Sequence, residues 1–484
     1  MSAVVGNNSM GFPVEEVVPD SAMVKGVSRS SLLTGRRRVR LQPQTGTSAS
    51  ANSIIQFVLA DSASLLDLNS AVLSCTVTTT GTGDVAMDDG PAFVRRATIA
   101  LNGTNVDDTD LANRFCNAQV YAGADRAWYN AAGSFANFWA QNPALAVNSA
   151  TVYQTADVSG ALVSASVRQK ASMQIAVPLA LVSKFFATKQ YLPLANCGEL
   201  VIQLLCAQNA EALFQRSGAT NGSYSLTNIF LEADFVQPHY LYMELLNRVS
   251  QLEGEQGLVV PYNAVISAQS QAITGSGQAN IVTSLATNNL RKVVVTMSPI
   301  TEATINYPVC STFANNSLTG VQFRVGSLYF PSQEAINNGS IFWMTQSAFN
   351  GGDPMHHRNG IIDYNTFCKT TGSTGLNINS SAFATGGSTP AQAAGASSAA
   401  GGAYQWWGDS CIIGYGFDNY KGGEPLDADG ISILGQAGSQ IVSLIRVAPY
   451  TAAGGWTNGI LANIHLERTR YLVLKNGALR VEGV

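Results

Sequence analysis

The side chains with the greatest chemical reach in this 484-residue chain are few and scattered, beginning with only four histidines. His356 and His357 stand side by side near Asp353, a set that suggests a metal ion. Adjacent side chains on a loop diverge from a single ion, however, and no third ligand has the spacing of a tetrahedral site. His239 and His465 stand beside no serine or cysteine nucleophile motif, so no hydrolase triad is indicated. Asp88 with Asp89, and Asp107 and Asp108 with Asp110, are acidic clusters of the kind that hold calcium, but the D-x-D-x-D-G loop with its distal glutamate is missing. They read as solvated turns or as ion pairs between subunits. No glycine-rich phosphate loop ending in Lys-Ser/Thr occurs. Trp406 and Trp407 follow a low-complexity stretch and either anchor it or line a sugar-binding surface; anchoring is the simpler reading. No catalytic, cofactor or metal residue is assigned, no cofactor is expected, and the chain is not expected to be an enzyme.

One basic tract stands out: Arg36, Arg37, Arg38 and Arg40, within an N-terminal arm over residues 1–45. It reads either as a solvated charge cluster or as an arm facing a genome, an inner membrane or a neighbouring subunit. With 27 Lys and Arg against 31 Asp and Glu the net charge is -4, so binding of nucleic acid through wholesale counterion release is excluded and any such contact is local. The seven cysteines are odd in number and form no C-x-x-C pair, which predicts reduced, buried, small hydrophobic side chains. The start MSAVVGNNSMGFPVEEVV lacks the basic and apolar regions of a signal peptide, and no run reaches the roughly 18 apolar residues of a membrane helix. The expectation is a protein assembled inside a cell and not secreted through a signal peptide.

These residues need a scaffold, and the chain supplies strands. Only 12% of residues are charged while 46% are hydrophobic, with 45 glycines, which is far from the composition of disordered chains. The resulting Ser, Thr, Asn, Gln and Ala surface suits a protein whose flanks are covered by copies of itself, and also occurs on secreted lectins. The length fits two β domains. IIQFVLA, a turn-rich DSASLLDLNS, AVLSCTVTTTG and AFVRRATIALNG with its Asn102-Gly103 turn open the first half. ASMQIAVPL, ELVIQLLCA and YSLTNIFLEADFVQ close it, with DDTDLANRFCNAQVYAGA as its main helix. LYMELLNRVSQLEGE has helical spacing and reads as a connector; strands then resume from GLVVPYNAV to ILANIHLERTRYLVLKNGALRV. The predicted division is an arm over 1–45, a first barrel over 46–240, a connector over 241–256 and a second barrel over 257–484. A low-complexity surface loop is placed over about 370–403.

Three segments are similar to the major capsid proteins of polinton-like viruses, virophages and related eukaryotic double-stranded DNA viruses. Ile54 to Val77 resembles that family's opening strand pair and is followed by GPAFVRRATIALNGTNVDD. Ala171 to Leu213, with VPL, FF and YLPL before a strand, resembles its closing strands. Val325 to Phe349 places Gly326, Pro331 and Phe349 where the family has a glycine, a proline and a terminal aromatic. The likeness spans residues 50 to 484; the Ala/Gly-rich loop after Phe349 and Pro308 depart from it. It implies an all-β chain of two tandem eight-stranded jelly rolls, a double jelly roll with long surface loops and a few short helices. It further implies three copies forming a pseudo-hexagonal capsomer that tiles an icosahedral shell, with penton, minor capsid and cement proteins as partners and the virion as location. The rival readings are a carbohydrate-binding adhesin or lectin, which the tryptophan pair suggests, and a β-sandwich glycoside hydrolase, which needs two carboxylates in a cleft.

Overall fold

The computed structural model describes residues 5–7, 13–15, 33–82, 85–124, 128, 132–133, 135–138, 172–215, 220–240, 243–244, 258–270, 277–284, 289–299, 310, 318–350, 411–417, 440–447, 460–475 and 478–482. The 370–403 loop, most of the 241–256 connector, His356, His357, Asp353, Cys368, Trp406 and Trp407 lie outside the described residues.

The first half carries β1 (Leu33–Leu41), β2 (Ile54–Leu59), β3 (Leu65–Thr82), β4 (Val94–Leu101) and β5 (Thr104–Asp110). After helix α1 (Ala112–Gly123) come β6 (Ser172–Pro178), β7 (Leu200–Cys206) and β8 (Thr220–Pro238). The second half carries β9 (Leu258–Gln269), β10 (Gly277–Ser284), β11 (Leu290–Pro299), β12 (Leu318–Val325) and β13 (Leu328–Ala335). After helix α2 (Asn338–Asn350) come β14 (Ile412–Gly416), β15 (Gln440–Val447), β16 (Ile460–Lys475) and a hairpin partner, β17 (Ala478–Glu482).

Among the described residues, two sheets build the first half on the paths β6-β3-β8-β1 and β2-β7-β4-β5, and two build the second on β14-β11-β16-β9 and β10-β15-β12-β13. Adding eight to each strand number converts one half into the other, helix included. This order, antiparallel throughout, is that of a jelly roll, so the chain is a double jelly roll.

Local chemistry explains the elements. In β2, Ile55, Phe57 and Leu59 are buried and alternate with more exposed neighbours; in β7, Leu200, Ile202, Leu204 and Cys206 do the same. Side chains of period two put one face of each strand inside. The β4–β5 hairpin turns at Asn102 (φ 47°) and Gly103 (φ 77°), the two left-handed positions that an Asn-Gly turn supplies at low cost. The second half's hairpin β12–β13 turns at Gly326, also left-handed (φ 60°).

Three expectations shift. Residues Leu33–Leu41 are not part of an arm preceding the barrel: they form β1, the strand paired along β8 from Leu41↔Leu231 to Leu33↔Pro238. The segment DSASLLDLNS is a turn only as far as Ser64, because Leu65, Leu66 and Leu68 are buried and begin the 18-residue β3. Similarly, DDTD belongs to β5, and α1 starts only after Leu111, whose φ of 52° breaks the strand.

The cores are exchanged at their margin. Phe115, Cys116, Val120 and Tyr121 of α1 pack with the second half's Val293, Phe323, Ile413 and Ile464. In return, Val260, Tyr262 and Leu472 of the second half pack with Ile175, Phe185 and Leu226 of the first. The six described cysteines are all buried.

Candidate functional site

An isolated antiparallel sandwich keeps the outer faces of its sheets wet. In this chain the outer face of β16 is covered by α1. Eight successive residues, Ala462 to Thr469, are buried: Ala462, Ile464 and Leu466 face their own core, while Asn463, His465, Glu467 and Thr469 face the other way, toward the first barrel. Each therefore requires a partner, from the first barrel or from its own half.

Arg114 of α1, 1% exposed, provides the first. Its Nη1 donates to Ser298 Oγ at 3.2 Å and Asn463 Oδ1 at 3.0 Å, and its Nε lies 3.9 Å from Glu211 Oε1. Glu211 in turn accepts from Arg95 Nη1 at 2.8 Å and Asn113 Nδ2 at 3.1 Å. His465 packs its ring 5.3 Å from that of Phe115, and its Nδ1 lies 2.7 Å from Ser267 Oγ. Burial, reinforced by the Arg114 charge, lowers the imidazole to about 3 and keeps it neutral. The histidine is buried and the serine half-buried, and the two are cross-strand partners that tie β9 to β16. Burial alone raises the Glu467 carboxyl, but Lys292 at 3.2 Å, Lys184 and Arg291 outweigh it and hold it below its ordinary value. Lys184 is drawn down to about 8, by burial first. The two lysines stand at a cleft of about 510 Å³ between the C-terminal ends of α1 and α2, lined also by Gln119, Trp128, Leu181 and Phe349. Carbonyl ends of helices attract cations, which accounts for ammonium groups there.

The acidic clusters of the sequence fall into this network rather than into solvent. Asp88, Asp89 and Asp107 are buried, which corrects the reading of solvated turns for all three. Asp88 accepts from its neighbour Asp89 N at 2.7 Å and, across the barrels, from Cys310 N at 2.7 Å. Asp89 accepts a short hydrogen bond from the Tyr121 hydroxyl. Gly90 completes the turn with φ 64°; a Cβ there would lie 2.4 Å from Asn117 Oδ1 and 2.8 Å from the Phe138 ring, so only glycine fits. Asn137 ties the turn down by donating to the carbonyls of Asp88 and Gly90 at 2.6 and 3.0 Å. Asp107 accepts from the Ser183 hydroxyl and from Asp108 N, but burial dominates and pushes its carboxyl up to about 6. Asp108 and Asp110 remain nearer the surface, paired with Arg96 at 2.6 Å and Arg95 at 3.4 Å. No group of three metal-ligating side chains occurs among the described residues.

The basic tract is a ladder on β1. Arg36 bridges Asp67 and Asp234 at 2.8 and 2.7 Å, Arg37 meets Asp61 at 2.6 Å, and Arg38 and Arg40 share Glu232 at 3.0 and 2.9 Å. Arg40 also lies over the Phe230 ring at 4.1 Å. Each guanidinium is held in place while its side chain stays more than half exposed. The charge run was legible in the sequence; its acidic partners, up to 198 positions away, were not.

At the opposite margin, β13 is an edge strand among the described residues; it exposes Leu328 (51%) and Tyr329 (44%), the turn after it Ile336 (69%), and α2 Trp343 (52%). The sequence marked this segment, Val325 to Phe349, by its resemblance, but not that these side chains are exposed, because an exposed apolar residue has the same letter as a buried one.

No protein-family model and no curated protein matches the sequence. Solved structures do match. PBCV-1 VP54, as fitted into a reconstruction of the virophage Sputnik, aligns with a TM-score of 0.55 and 12% identity over 95% of this chain and 99% of its own. A chain from the structure of the Sputnik virophage gives 0.54 and 12% over 99% and 94%, and the Faustovirus major capsid protein gives 0.53 and 9% over 94% and 93%. At such identities the likeness establishes the shared fold, double jelly roll on double jelly roll, along nearly the full length of each chain.

Proposed function

We propose that this chain is the major capsid protein of a double-stranded DNA virus. Its function is to form pseudo-hexagonal homotrimeric capsomers and tile them into an icosahedral shell, and its location is the virion. The observation that carries this reading is the repeat itself: two barrels with one strand order, locked side by side through a buried polar seam, aligned end to end with proteins of viral shells. A rigid pair of similar barrels is a third of a six-barrel ring, and a ring of six approximates the six-fold sites of a lattice. The chemistry supports a structural role, because Asp88 and His465 make contacts between the barrels while Asp89, Asp107, Asp108, Asp110 and the four arginines are engaged in hydrogen bonds and ion pairs within the first. Penton, minor capsid and cement proteins are the expected further partners of such a lattice.

The test is the solution mass of the full chain by light scattering coupled to size exclusion. A mass of roughly three times 51.0 kDa supports the capsomer, and hexagonal arrays on electron-microscope grids extend it to the lattice. A monomer indifferent to salt and concentration overturns it.

A further inference from the structure

An ammonium group drawn out of water is unfavourable unless an anion meets it. In the cleft between the C-terminal ends of α1 and α2 one lysine is so met and the other is not. Lys292 Nζ lies 3.2 Å from Glu467 Oε2 and 5.3 Å from the centre of the Phe349 ring. Lys184, half-buried in a single helical turn shortly after β6, places its Nζ 5.9 Å from the centre of the Phe115 ring. Among the described residues none accepts a hydrogen bond from it. The two lysines bring two positive charges to the cleft and Glu467 one negative charge, so one positive charge stays unmatched. Gln119, on the same wall, has a buried Oε1 that meets no donor. The other walls are the apolar faces of Val120, Leu181, Trp128 and Phe349.

We propose that this cleft binds an amphipathic carboxylate, a single negative head on an apolar body, with Lys184 as the partner of the head. The charge count selects the head. One unmatched ammonium calls for a monoanion, whereas a phosphate dianion would set its second charge against Glu467 and against the carbonyl ends of two helices. The walls select the body, because Val120, Leu181, Trp128 and Phe349 offer an alkyl chain or a ring the contact that water does not. The volume, about 510 Å³, is within the roughly 300–1,000 Å³ of small-molecule sites. Gln119 joins the head by turning its amide over, which brings Nε2 to the place of the unpartnered Oε1. Lys184 stays mainly protonated at pH 7, its pKa of about 8 being set by burial first and by the opposed charges of Glu467 and Lys292. The site draws on both halves of the chain, with Gln119 and Lys184 from the first and Lys292 and Phe349 from the second. A ligand held there favours the state in which the barrels are joined.

The experiment uses the full chain and three probes: octanoate, and acetate and 1-octanol, each of which keeps one half of its chemistry. Calorimetric titration is expected to give one octanoate per chain, bound at least tenfold more tightly than either of the others. Lys184→Met removes the charge and keeps the apolar stem. It is expected to weaken octanoate at least tenfold and to leave 1-octanol unchanged, with circular dichroism as the check on folding. A second arm needs no variant. The unaltered protein is acetylated with limiting N-acetoxysuccinimide and the rate at each lysine is read by peptide mass spectrometry. Saturating octanoate is expected to slow Lys184 at least tenfold and to leave the exposed Lys189 unchanged. Octanoate that fails to bind, binds no more tightly than acetate or 1-octanol, or binds Lys184→Met as well as the unaltered chain overturns the proposal. If Lys184→Met misfolds, the acetylation rates decide, and a Lys184 rate indifferent to octanoate overturns it. The solution mass, which tests the capsomer, is read separately and stands whichever way these titrations fall.

Discussion

The two barrels share a strand order but treat equivalent parts in opposite ways. Helix α1 is buried along almost all its length and sends an arginine into the neighbouring barrel; helix α2, at the same place in the repeat, is half exposed and shows Trp343 to solvent. The same holds for the edge strands that precede them, β5 mostly buried or half-buried and β13 mostly exposed or half-buried. A repeated architecture therefore does not imply repeated energetics: what an element contributes depends on whether its neighbour is in the same chain.

The sharpest way to break the contrast is at Arg114. Arg114→Ala leaves Asn463 and Ser298 without their shared donor and removes a buried charge beside Glu211, and is expected to cost about 3–5 kcal/mol, read as a fall in the urea midpoint. Trp343→Ala on α2 should change the stability of the isolated chain by less than about 1 kcal/mol, since its side chain is half in water already.

Acid and base titrations separate the barrels further. Asp107 of the first barrel has a folded value near 6 against an ordinary 3.8, so its contribution is fully present below about 4 and is lost as pH rises through 6, on the order of 3 kcal/mol. His465 of the second barrel is lowered from 6.5 to about 3 and acts in the opposite sense, its contribution present above 6.5 and lost as pH falls toward 3. Asp107→Asn should leave a stability that rises with pH between 4 and 6, whereas His465→Gln should leave one that falls; denaturant midpoints at pH 4, 5 and 6 distinguish the two slopes.

Smaller effects refine the picture. Tyr121→Phe removes a donor from the buried Asp89 carboxylate and is expected to cost about 1–3 kcal/mol by thermal unfolding. Glu232→Gln, which cuts the exposed pairing with Arg38 and Arg40, should cost less than about 1 kcal/mol and lose even that in high salt.

Much of the fold was legible because it is written locally. Alternation at Ile55, Phe57 and Leu59, the Asn102-Gly103 turn and the β-branched run of β3 each need only a few adjacent residues to be read. What escaped reading depends on distant partners. Arg36 to Arg40 look like a free basic arm until Asp61, Asp67, Glu232 and Asp234 are brought alongside, and charges so paired can belong to a strand. Asp88 and Asp89 look solvated until Cys310 N, 222 positions on, and the Tyr121 hydroxyl close over them. The His465 and Ser267 contact could not be seen because 198 residues separate them. The low-complexity loop, the histidine pair and the tryptophan pair lie outside the described residues.

The seam also sets a timetable. Asp88 and Arg114 are made early, but their partners are Cys310, Ser298 and Asn463. A ribosome adding roughly 5–20 residues per second delivers Asn463 tens of seconds after β8 is complete. Early in that interval Asp88 waits for Cys310 and Arg114 for Ser298, and for all of it Arg114 lacks Asn463 and α1 lacks Ile464. The step that completes the first barrel's polar contacts therefore comes with β16, which seals both barrels at once.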